Sequence, residues 1–439
     1  MRTRYAAATV ILAAMLPACG GGSDDKPEPL GVLDFRPTSE FGFDAVITGL
    51  QLGKEIVDEH AGDNDRARAE GYRYLLRQIE MNLANMTADA DPAHPLISRC
   101  PSRNCKLGFD NPDYTYTGAS PLSAAYNYRL YGSRGTSHFV LFQVLERADG
   151  PFKGTSKTDT EMMQFAADGS WEIYLGAEKP AGVPQGNFLQ LTADQATLVI
   201  RIAHYDWERT IEPSVAIEVL DPVASSAEQF TPMRMATAGF ALSKMLPGQL
   251  RRWTKRLADA PLNAVEQPCV SWGNYCGAEG GSGIWATGGR YRLAQDEALI
   301  VSAPAMELVY QNIQLGNMWA ESLDYATRQT SLNGHQAHRD SDGVYRYVLA
   351  HSDPGVPNWL DVSGQPEGSL FMRWIRTVDN TVPGTPASKV VKLSEVRRHL
   401  PADTPVVTAA QRTATLQRRY TAVNRRMNPA GVAAVESAP

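Results

Sequence analysis

The sequence has no surplus of positive charge and lacks the common nucleotide-binding motifs. Its 439 residues include 42 lysines and arginines against 48 aspartates and glutamates, a formal net charge of -6. Binding nucleic-acid phosphates requires a basic face, so this balance argues against nucleic-acid binding. A Walker loop and a dinucleotide fingerprint are both missing. The stretch GGSGIW (280–285) is no nucleophile elbow, because it lies in a Gly-rich loop without the helix that an elbow opens into.

A long apolar run is also missing, and the N-terminal one is too short for a bilayer-spanning helix. MRTRYAAATVILAAMLPA (1–18) has a basic start and a short apolar run, which is typical of a secretory signal peptide. It ends in LPAC, which resembles the lipobox of bacterial lipoproteins, and a polar tether (19–35) follows. We expect Cys19 to be the lipidated N-terminus and the protein to be anchored to the cell envelope, at the outer membrane facing the periplasm. The alternative is an ordinary signal peptide with a chance cysteine.

Cysteine is scarce, with five in the chain. Export favours disulfides among the four besides Cys19, and the short loops CPSRNC and CVSWGNYC favour pairing Cys100 with Cys105 and Cys269 with Cys276. The alternative is a four-thiolate zinc site, but neither loop has the usual two-residue ligand spacing. The sequence therefore predicts two local disulfides and no metal.

What is present is an ordinary globular composition, with 43% hydrophobic and 21% charged residues. The stretch DRARAEGYRYLLRQIEMNLANM has apolar residues at helical spacing with Arg and Glu outside, whereas HFVLFQVLE and ATLVIRIAHYDW alternate as strands do. The pattern divides the chain into a signal peptide (1–18), a lipidated tether (19–35), an N-terminal helical segment (36–100), a first β unit (101–224), a helical connector (225–276), a second β unit (277–400) and a C-terminal tail (401–439). In that tail, 411–427 carries five arginines in an amphipathic helix that we expect to dock on the body or to fray.

The two strand-rich segments repeat one another. The matched features are Asp168-Gly169 with Asp342-Gly343, Asn187-Phe188 with Asn358-Trp359, LFQV (141–144) with NIQL (312–315), and Arg201 with Arg373. Asp-Gly between alternating runs is a strong hairpin signal. The predicted fold is mainly β with added helices (α+β): two related jelly-roll-like β-sandwich units with helices covering their apolar faces.

Several stretches carry a resemblance to the bacterial domain-of-unknown-function 1214 family. They are DRARAEGYRYLLRQ (65–78), GFDNPDYTYTGA (108–119), YRLYGSRGTSHFVLFQV (128–144), DEALIVSAPAMELVYQNIQLGNMWAESLDYATRQTSLN (296–333) and DGVYRYVLAHSDPGVPNWLDVSG (342–364). The resemblance runs from about 40 to 395. It implies a mostly β, jelly-roll-like sandwich and supplies no reaction. The histidines of NGHQAHRD depart from the family pattern.

Two groups of residues are candidates for binding a small molecule. In the loop DNPDYTY, Asp110, Asn111, Asp113 and Tyr114 can present polar and aromatic groups to a ligand, or can equally form an Asx-type turn with packed tyrosines. The second group could line one concave site or could be sandwich core and sheet edge, and Arg201 at the place that matches Arg373 favours the structural role. It consists of Gln314, Trp319, Asn358, Trp359 and Arg373.

Catalytic candidates are weaker. His204 and Asp206 share a face of a strand, so the carboxylate could orient the imidazole for general-base work, with Asp113 as a further candidate. An exposed, charged strand end with Trp207 packed inward is the favoured alternative.

The stretch NGHQAHRDSD raises the question of a metal. His338, Asp340 and Asp342 could converge on an ion if they lay on one strand, but a solvated polar loop is favoured.

These patterns predict an exported, lipid-anchored protein that binds a small, partly apolar molecule at the cell envelope without a cofactor. One alternative is a cofactor-independent hydrolase or lyase, and another is an interaction or scaffold lipoprotein.

Overall fold

The computed structural model describes residues 38–87, 91–100, 105–106, 108–146, 153–223, 229–269 and 284–427. The predicted signal peptide, the tether with Cys19, and Cys276 lie outside the described residues.

The described residues form four α-helices, and three of them pack together. Thr38 and Thr231 cap the first and third helices, each accepting a hydrogen bond from the backbone N–H three residues later. The first and third helices touch backbone to backbone, because a Cβ on Gly42 would lie 2.4 Å from the Met235 carbonyl oxygen. The helices are α1 (Ser39–Ala61), α2 (Asp65–Thr87), α3 (Pro232–Asp259) and α4 (Ala409–Met427).

The strands form four sheets in two sandwiches. The first sandwich contains β1 (Ile97–Arg99), β2 (Tyr114–Leu122), β3 (Tyr128–Ser133), β4 (Val140–Glu146), β5 (Lys153–Asp159), β6 (Ser170–Gly176), β7 (Phe188–Gln190), β8 (Ala196–Ala203) and β9 (Ala216–Val219). The second contains β10 (Ile284–Arg292), β11 (Glu297–Pro304), β12 (Leu308–Gly316), β13 (Ser331–Asn333), β14 (Val344–Ala350), β15 (Trp359–Asp361), β16 (Glu367–Thr377) and β17 (Ala387–Lys392).

The two sandwiches have the same topology, which confirms the predicted pair of related β units. The first has sheets ordered β1-β2-β8-β4-β5 and β7-β6-β3-β9, and the second has β10-β16-β12-β13 and β15-β14-β11-β17. Adding eight to each strand number from β2 to β9 converts the first arrangement into the second. The parallel pair β6-β7 has its counterpart in β14-β15. The predicted mainly β architecture with added helices is therefore confirmed.

The Asp-Gly pairs make the turns that the repeat predicts, but these turns do not join strands of one sheet. Gly169 and Gly343 have φ of 80° and 81°, a region that glycine adopts without strain. Each donates its N–H to the carbonyl three residues earlier, at 3.0 Å and 2.9 Å respectively. The preceding strand, β5 or β13, belongs to the opposite sheet from the following one, β6 or β14. The chain therefore crosses between sheets before each turn, which corrects the expected simple hairpin.

The helices cover the outer face of one sheet of the second unit. Their core includes Val57, Leu75 and Leu250, packed with Ala286 and Phe371 of β10 and β16. Helix α4 docks on the body through Ala422 and Val423, which contact Trp207 and Tyr325. No helix in the described part of the chain is long and apolar enough to cross a membrane.

Two of the predicted disulfide cysteines pair as expected. Cys100 and Cys105 are disulfide-bonded. Cys269 is disulfide-bonded as well. The predicted pairing of Cys269 with Cys276 stays a prediction, since Cys276 is outside the described residues.

Candidate functional site

The DNPDYTY loop lies between the two β units and holds a compact turn. The Asn111 side-chain oxygen accepts the backbone N–H of Asp113 at 3.0 Å, an Asx-type turn. The Asn111 N–H donates to the Tyr116 hydroxyl at 2.9 Å. Tyr114 packs against Tyr310 of the second unit, with ring centroids 5.8 Å apart. The structural interpretation of this loop, a turn with packed tyrosines, accounts for these contacts.

Asp113 is the centre of a buried hydrogen-bond network that joins the units. Its side chain is 1% exposed. Oδ1 accepts from Trp207 Nε1 at 2.7 Å and from Asn333 Nδ2 at 2.9 Å. Oδ2 accepts from the Tyr310 hydroxyl at 2.6 Å and from Asn312 Nδ2 at 3.3 Å. Burial and the Asp113 carboxylate raise the pKa of Tyr310 well above its ordinary value, which keeps the phenol a donor.

Asp110, Gln314 and Arg373 meet in the same interface, but they bind protein groups. The Asp110 carboxylate accepts from the Ser322 N–H at 2.9 Å and from its hydroxyl at 2.6 Å, and burial raises the Asp110 pKa. Arg373 donates to Gln314 and to the Phe109 carbonyl. In the first unit Arg201 donates to Gln143 at 2.8 Å, so the Arg-Gln pair is repeated with the fold. This repetition gives Arg373 a structural role.

The remaining predicted ligand-binding residues lie apart from this group. Asn358 exchanges two hydrogen bonds with the His338 backbone, at 2.7 Å and 2.6 Å. Asn187 does the same with Gln164, at 2.8 Å and 3.0 Å. Trp359 Nε1 donates to the Ala350 carbonyl at 3.1 Å. The Asn side chains therefore tie down the loop before the Asp-Gly turn in both units, which supports the structural alternative for this group.

Trp319 fastens helix α2 to the second unit. Its side chain is 1% exposed, and Nε1 donates to the Ala67 carbonyl at 2.8 Å. A Cβ on Gly71 would lie 2.6 Å from the Trp319 ring, so the absent side chain lets the helix approach.

His204 has a carboxylate partner, but it is not Asp206. Strand β8 ends at Ala203, so the expected alternation does not reach Asp206, which accepts from the Glu208 N–H instead. The Glu212 carboxylate lies 3.1 Å from His204 Nε2 and pairs with Arg99 at 2.6 Å. Trp207 packs inward, as the structural alternative predicts. Glu212 lies in the loop after β8, where the sequence has no periodicity, so no sequence signal identifies it as the partner of His204.

The His204 environment keeps the imidazole neutral. Burial lowers the His204 pKa to about 4, and the Glu212 hydrogen bond opposes this only in part. Burial raises the pKa of Glu212, but hydrogen bonds from His204 and Arg99 outweigh it, and the pKa falls to about 2. His204 is 3% exposed, which leaves no path for a substrate to the ring.

We expect this cluster to make stability pH-dependent. Between pH 6.5 and 4 the unfolded chain protonates His204 while the folded chain does not, so stability falls as the pH is lowered. From pH 7 to pH 5 the wild type should lose about 2 kcal/mol more than a His204→Gln variant. Urea unfolding at several pH values measures this difference. Equal slopes for the two proteins would contradict it.

The two aspartates of the NGHQAHRDSD stretch that could hold a metal pair with an arginine. Arg346 donates to Asp340 at 2.8 Å and also pairs with Asp342, while Thr404 donates to Asp340 at 2.8 Å. Among the described residues no group of three His, Cys, Asp or Glu side chains is placed to hold a metal ion.

A cavity of about 430 Å³ lies elsewhere, between helix α2 and the second unit. Its walls come from α2, from the stretch after β12 and from the turn before β16. The charged residues that line it are Arg66, Glu70, Arg73, Arg77, Lys106, Asp324 and Arg328. Leu323, Tyr325 and Ala326 supply apolar surface. None of the residues predicted to bind a ligand lines this cavity.

A buried carboxylate fixes two of the arginines. Glu321 is fully buried, and its Oε1 accepts from Arg77 at 2.7 Å. Its Oε2 accepts from Asn317 at 2.9 Å and from Arg73 at 3.3 Å. The spacing of Arg66, Glu70, Arg73 and Arg77 places all four on one face of α2. The sequence predicts that the Arg and Glu residues of this helix face solvent, whereas these four line the cavity. The sequence does not distinguish the two cases, because a charged helical face has the same residue spacing in both.

The other cations are held just as firmly. Lys106 is 6% exposed, and its ammonium donates to the Ser322 carbonyl at 2.7 Å and lies 4.8 Å from the centre of the Tyr325 ring. Arg328 pairs with Asp361 at 2.7 Å. Burial opposes ionisation of Asp324, but hydrogen bonds from Thr327 and its neighbours lower the pKa, so Asp324 is charged. The wall of the cavity is therefore polar, and most of its charged groups are paired with other protein groups.

Comparison with known proteins supports the family resemblance within the first unit. Residues 119–205 match the family described as "Protein of unknown function (DUF1214)". The chain is similar to an uncharacterised protein from Burkholderia cenocepacia whose crystal structure is known, with 28% identity, a TM-score of 0.74, and coverage of 81% of this chain and 98% of that one. The VPA0106 protein from Vibrio parahaemolyticus has 13% identity and a TM-score of 0.41, with 81% and 100% covered. No curated protein matches the chain.

Proposed function

We propose that this protein is an exported, lipid-anchored binding protein that holds a small molecule in the cavity beside α2. The cavity of about 430 Å³ carries the proposal, because it is within the range of ordinary small-molecule sites. Leu323, Tyr325 and Ala326 can contact an apolar part of the ligand, and the charged wall can orient a polar part.

The preorganised walls support binding. Arg73 and Arg77 are held by Glu321, and the loop that carries Glu321 is fastened to α2 by Trp319. Side chains that are already ordered lose little entropy when a ligand binds, which favours affinity.

The enzyme alternative draws no support from its candidate residues. Asp113 and His204 are 1% and 3% exposed, and Asp206 is partly exposed. Their polar groups bind other protein groups, and none of the three borders the cavity. A catalytic group must reach its substrate, so binding is the better-supported function. No observation in the described residues favours a scaffold role.

The lipid anchor is part of the same proposal and rests on the sequence. LPAC places Cys19 where a lipobox requires it, and the polar tether that follows separates the lipid from α1, which begins at Ser39.

Native mass spectrometry of protein purified from host membranes tests both parts. We expect a mass that corresponds to an N-terminal acylated Cys19 and a non-covalently bound small molecule that is released on activation. A Cys19→Ala variant should lose the acyl mass and the membrane attachment while it keeps the small molecule. An unmodified Cys19 in the wild type refutes the anchor, and a wild type without any bound small molecule refutes the binding function.

A further inference from the structure

We infer that the ligand of this cavity is an oxyanion, a small molecule with a carboxylate or phosphate group, which the guanidinium groups of Arg73 and Arg77 bind. This inference rests on the proposed function and specifies the chemistry of the same site.

Arg77 supplies the first observation. Its guanidinium donates to Glu321 through one nitrogen, and it has no other partner among the described residues. A guanidinium carries five N–H donors in a fixed fork. The Arg77 side chain is 17% exposed and lines the cavity, so its remaining donors are directed at whatever occupies that space. Carboxylate and phosphate oxygens match this fork in a bidentate manner.

Arg73 provides a second fork one helical turn away. It is half-exposed and reaches Glu321 with a single nitrogen at 3.3 Å. Arg73 and Arg77 are four residues apart on α2, so their side chains are neighbours on one face. Arg73 Nη2 also lies 4.0 Å from Glu70, so one nitrogen of Arg73 faces both carboxylates and its other donors are left for a ligand.

The charges explain why the ligand should be an oxyanion and not a cation. Five cations line the cavity against two carboxylates, Glu70 and Asp324. The other carboxylates, Asp110, Glu321 and Asp361, lie behind the cations and are 5%, 0% and 7% exposed. The cluster as a whole is therefore close to neutral, while Arg73 and Arg77 keep unused donors toward the cavity. Such a wall binds acceptor oxygens and repels an ammonium group.

Glu70 and Asp324 narrow the chemistry further. Both are acceptors at the cavity wall, and Glu70 already accepts from Gln365 at 2.6 Å. An acid that also carries a hydroxyl group can donate to one of them while its acidic group binds the arginines. A hydroxy acid or a sugar-like phosphate has both groups.

Matched pairs of probes test the class of ligand. The pairs are malate with malamide, its neutral diamide, and glycerol 3-phosphate with glycerol, titrated by calorimetry into full-length protein freed of bound ligand. We expect an acid to bind with a Kd in the millimolar range or tighter and its neutral analogue to bind at least about tenfold more weakly. Arg73→Gln should weaken binding of the acid at least about tenfold, because it removes one of the two guanidinium groups that bind the oxyanion. The variant should still fold, since Arg73 is half-exposed and Glu321 keeps its bonds with Arg77 and Asn317.

Arg68→Gln is the matched control. It removes the same charge from the same helix, but Arg68 bonds with Asp65 and Gly62 and does not line the cavity, so acid binding should not change. Equal binding of acids and neutral analogues, an unchanged affinity in Arg73→Gln, or no binding of either acid overturns the oxyanion assignment. If native mass spectrometry then finds a bound neutral or cationic molecule, the oxyanion assignment is wrong but the binding function stands. If it finds no bound molecule, both the oxyanion assignment and the binding function are wrong.

Discussion

Asp113→Ala should lower the free energy of unfolding by about 3 kcal/mol, because it takes an acceptor away from four buried donors at once. Trp207, Tyr310, Asn312 and Asn333 all donate to this carboxylate, which is 1% exposed. A buried donor without a partner costs about 1–3 kcal/mol. The substitution leaves Trp207 Nε1 in this state, while Tyr310 and Asn312 keep the Asn111 oxygen and Asn333 keeps the Tyr205 carbonyl as weaker compensation. Equilibrium unfolding in urea, monitored by tryptophan fluorescence, measures the loss.

Two comparison variants separate the hydrogen bonds from the loss of volume. Asp113→Asn keeps the shape of the side chain but turns an NH2 group toward the donors, so it should still lower the free energy of unfolding by about 2 kcal/mol. Asp206→Ala is the control, since Asp206 is partly exposed and accepts one backbone N–H, and it should cost less than about 1 kcal/mol. An Asp113→Ala loss no larger than that of Asp206→Ala would show that the network does not join the units.

Arg77→Met should lower the free energy of unfolding by about 3 kcal/mol, because it takes the closest cationic partner from a carboxylate with no exposed surface. Glu321 would keep only Asn317 at 2.9 Å and Arg73 at 3.3 Å. The methionine side chain fills much of the space of the arginine stem, so the loss reports on the charge.

A second substitution should rescue this variant. Glu321→Gln removes the negative charge that Arg77→Met leaves with the more distant Arg73 as its cationic partner, so the double variant should be more stable than Arg77→Met alone by about 1–2 kcal/mol. Arg68→Met, on the same helix but paired with exposed Asp65, should cost less than about 1 kcal/mol. If the two changes are additive in a double-mutant cycle, the ion pair does not hold the cavity wall.

The repeat was predictable from the sequence because strand and turn chemistry is local. The Asp-Gly pairs require positive φ at glycine, and the matched Asn and Arg residues mark equivalent strands. The local loop of Cys100 and Cys105 closes for the same reason, since a short separation brings two thiols together without help from the rest of the fold. Whether the DNPDYTY loop binds a ligand or packs could not be decided in this way, because its partners Tyr310 and Asn312 lie in the other unit.

Distant parts of the chain decide two features of the candidate sites. Asp206 is a weaker candidate partner of His204 in the sequence because alternate residues of a strand share a face, but the strand ends before His204, and Glu212 reaches the ring from a later loop. Likewise, the charged face of α2 was expected to be solvated, and only the Glu321 loop, more than 200 residues further along the chain, turns it into a cavity wall.

By itself the sequence determined the mainly β duplicated architecture, the helical additions and the Asp-Gly turns, and it predicts export and a lipid anchor. These features depend on residue periodicity, on turn residues and on short spacing, all of which act within a few neighbouring positions. The tertiary structure alone decided which polar residues are satisfied inside the protein and which ones line the cavity. A carboxylate or a guanidinium has the same local signature in both settings, and its role depends on the partners that distant parts of the chain bring to it.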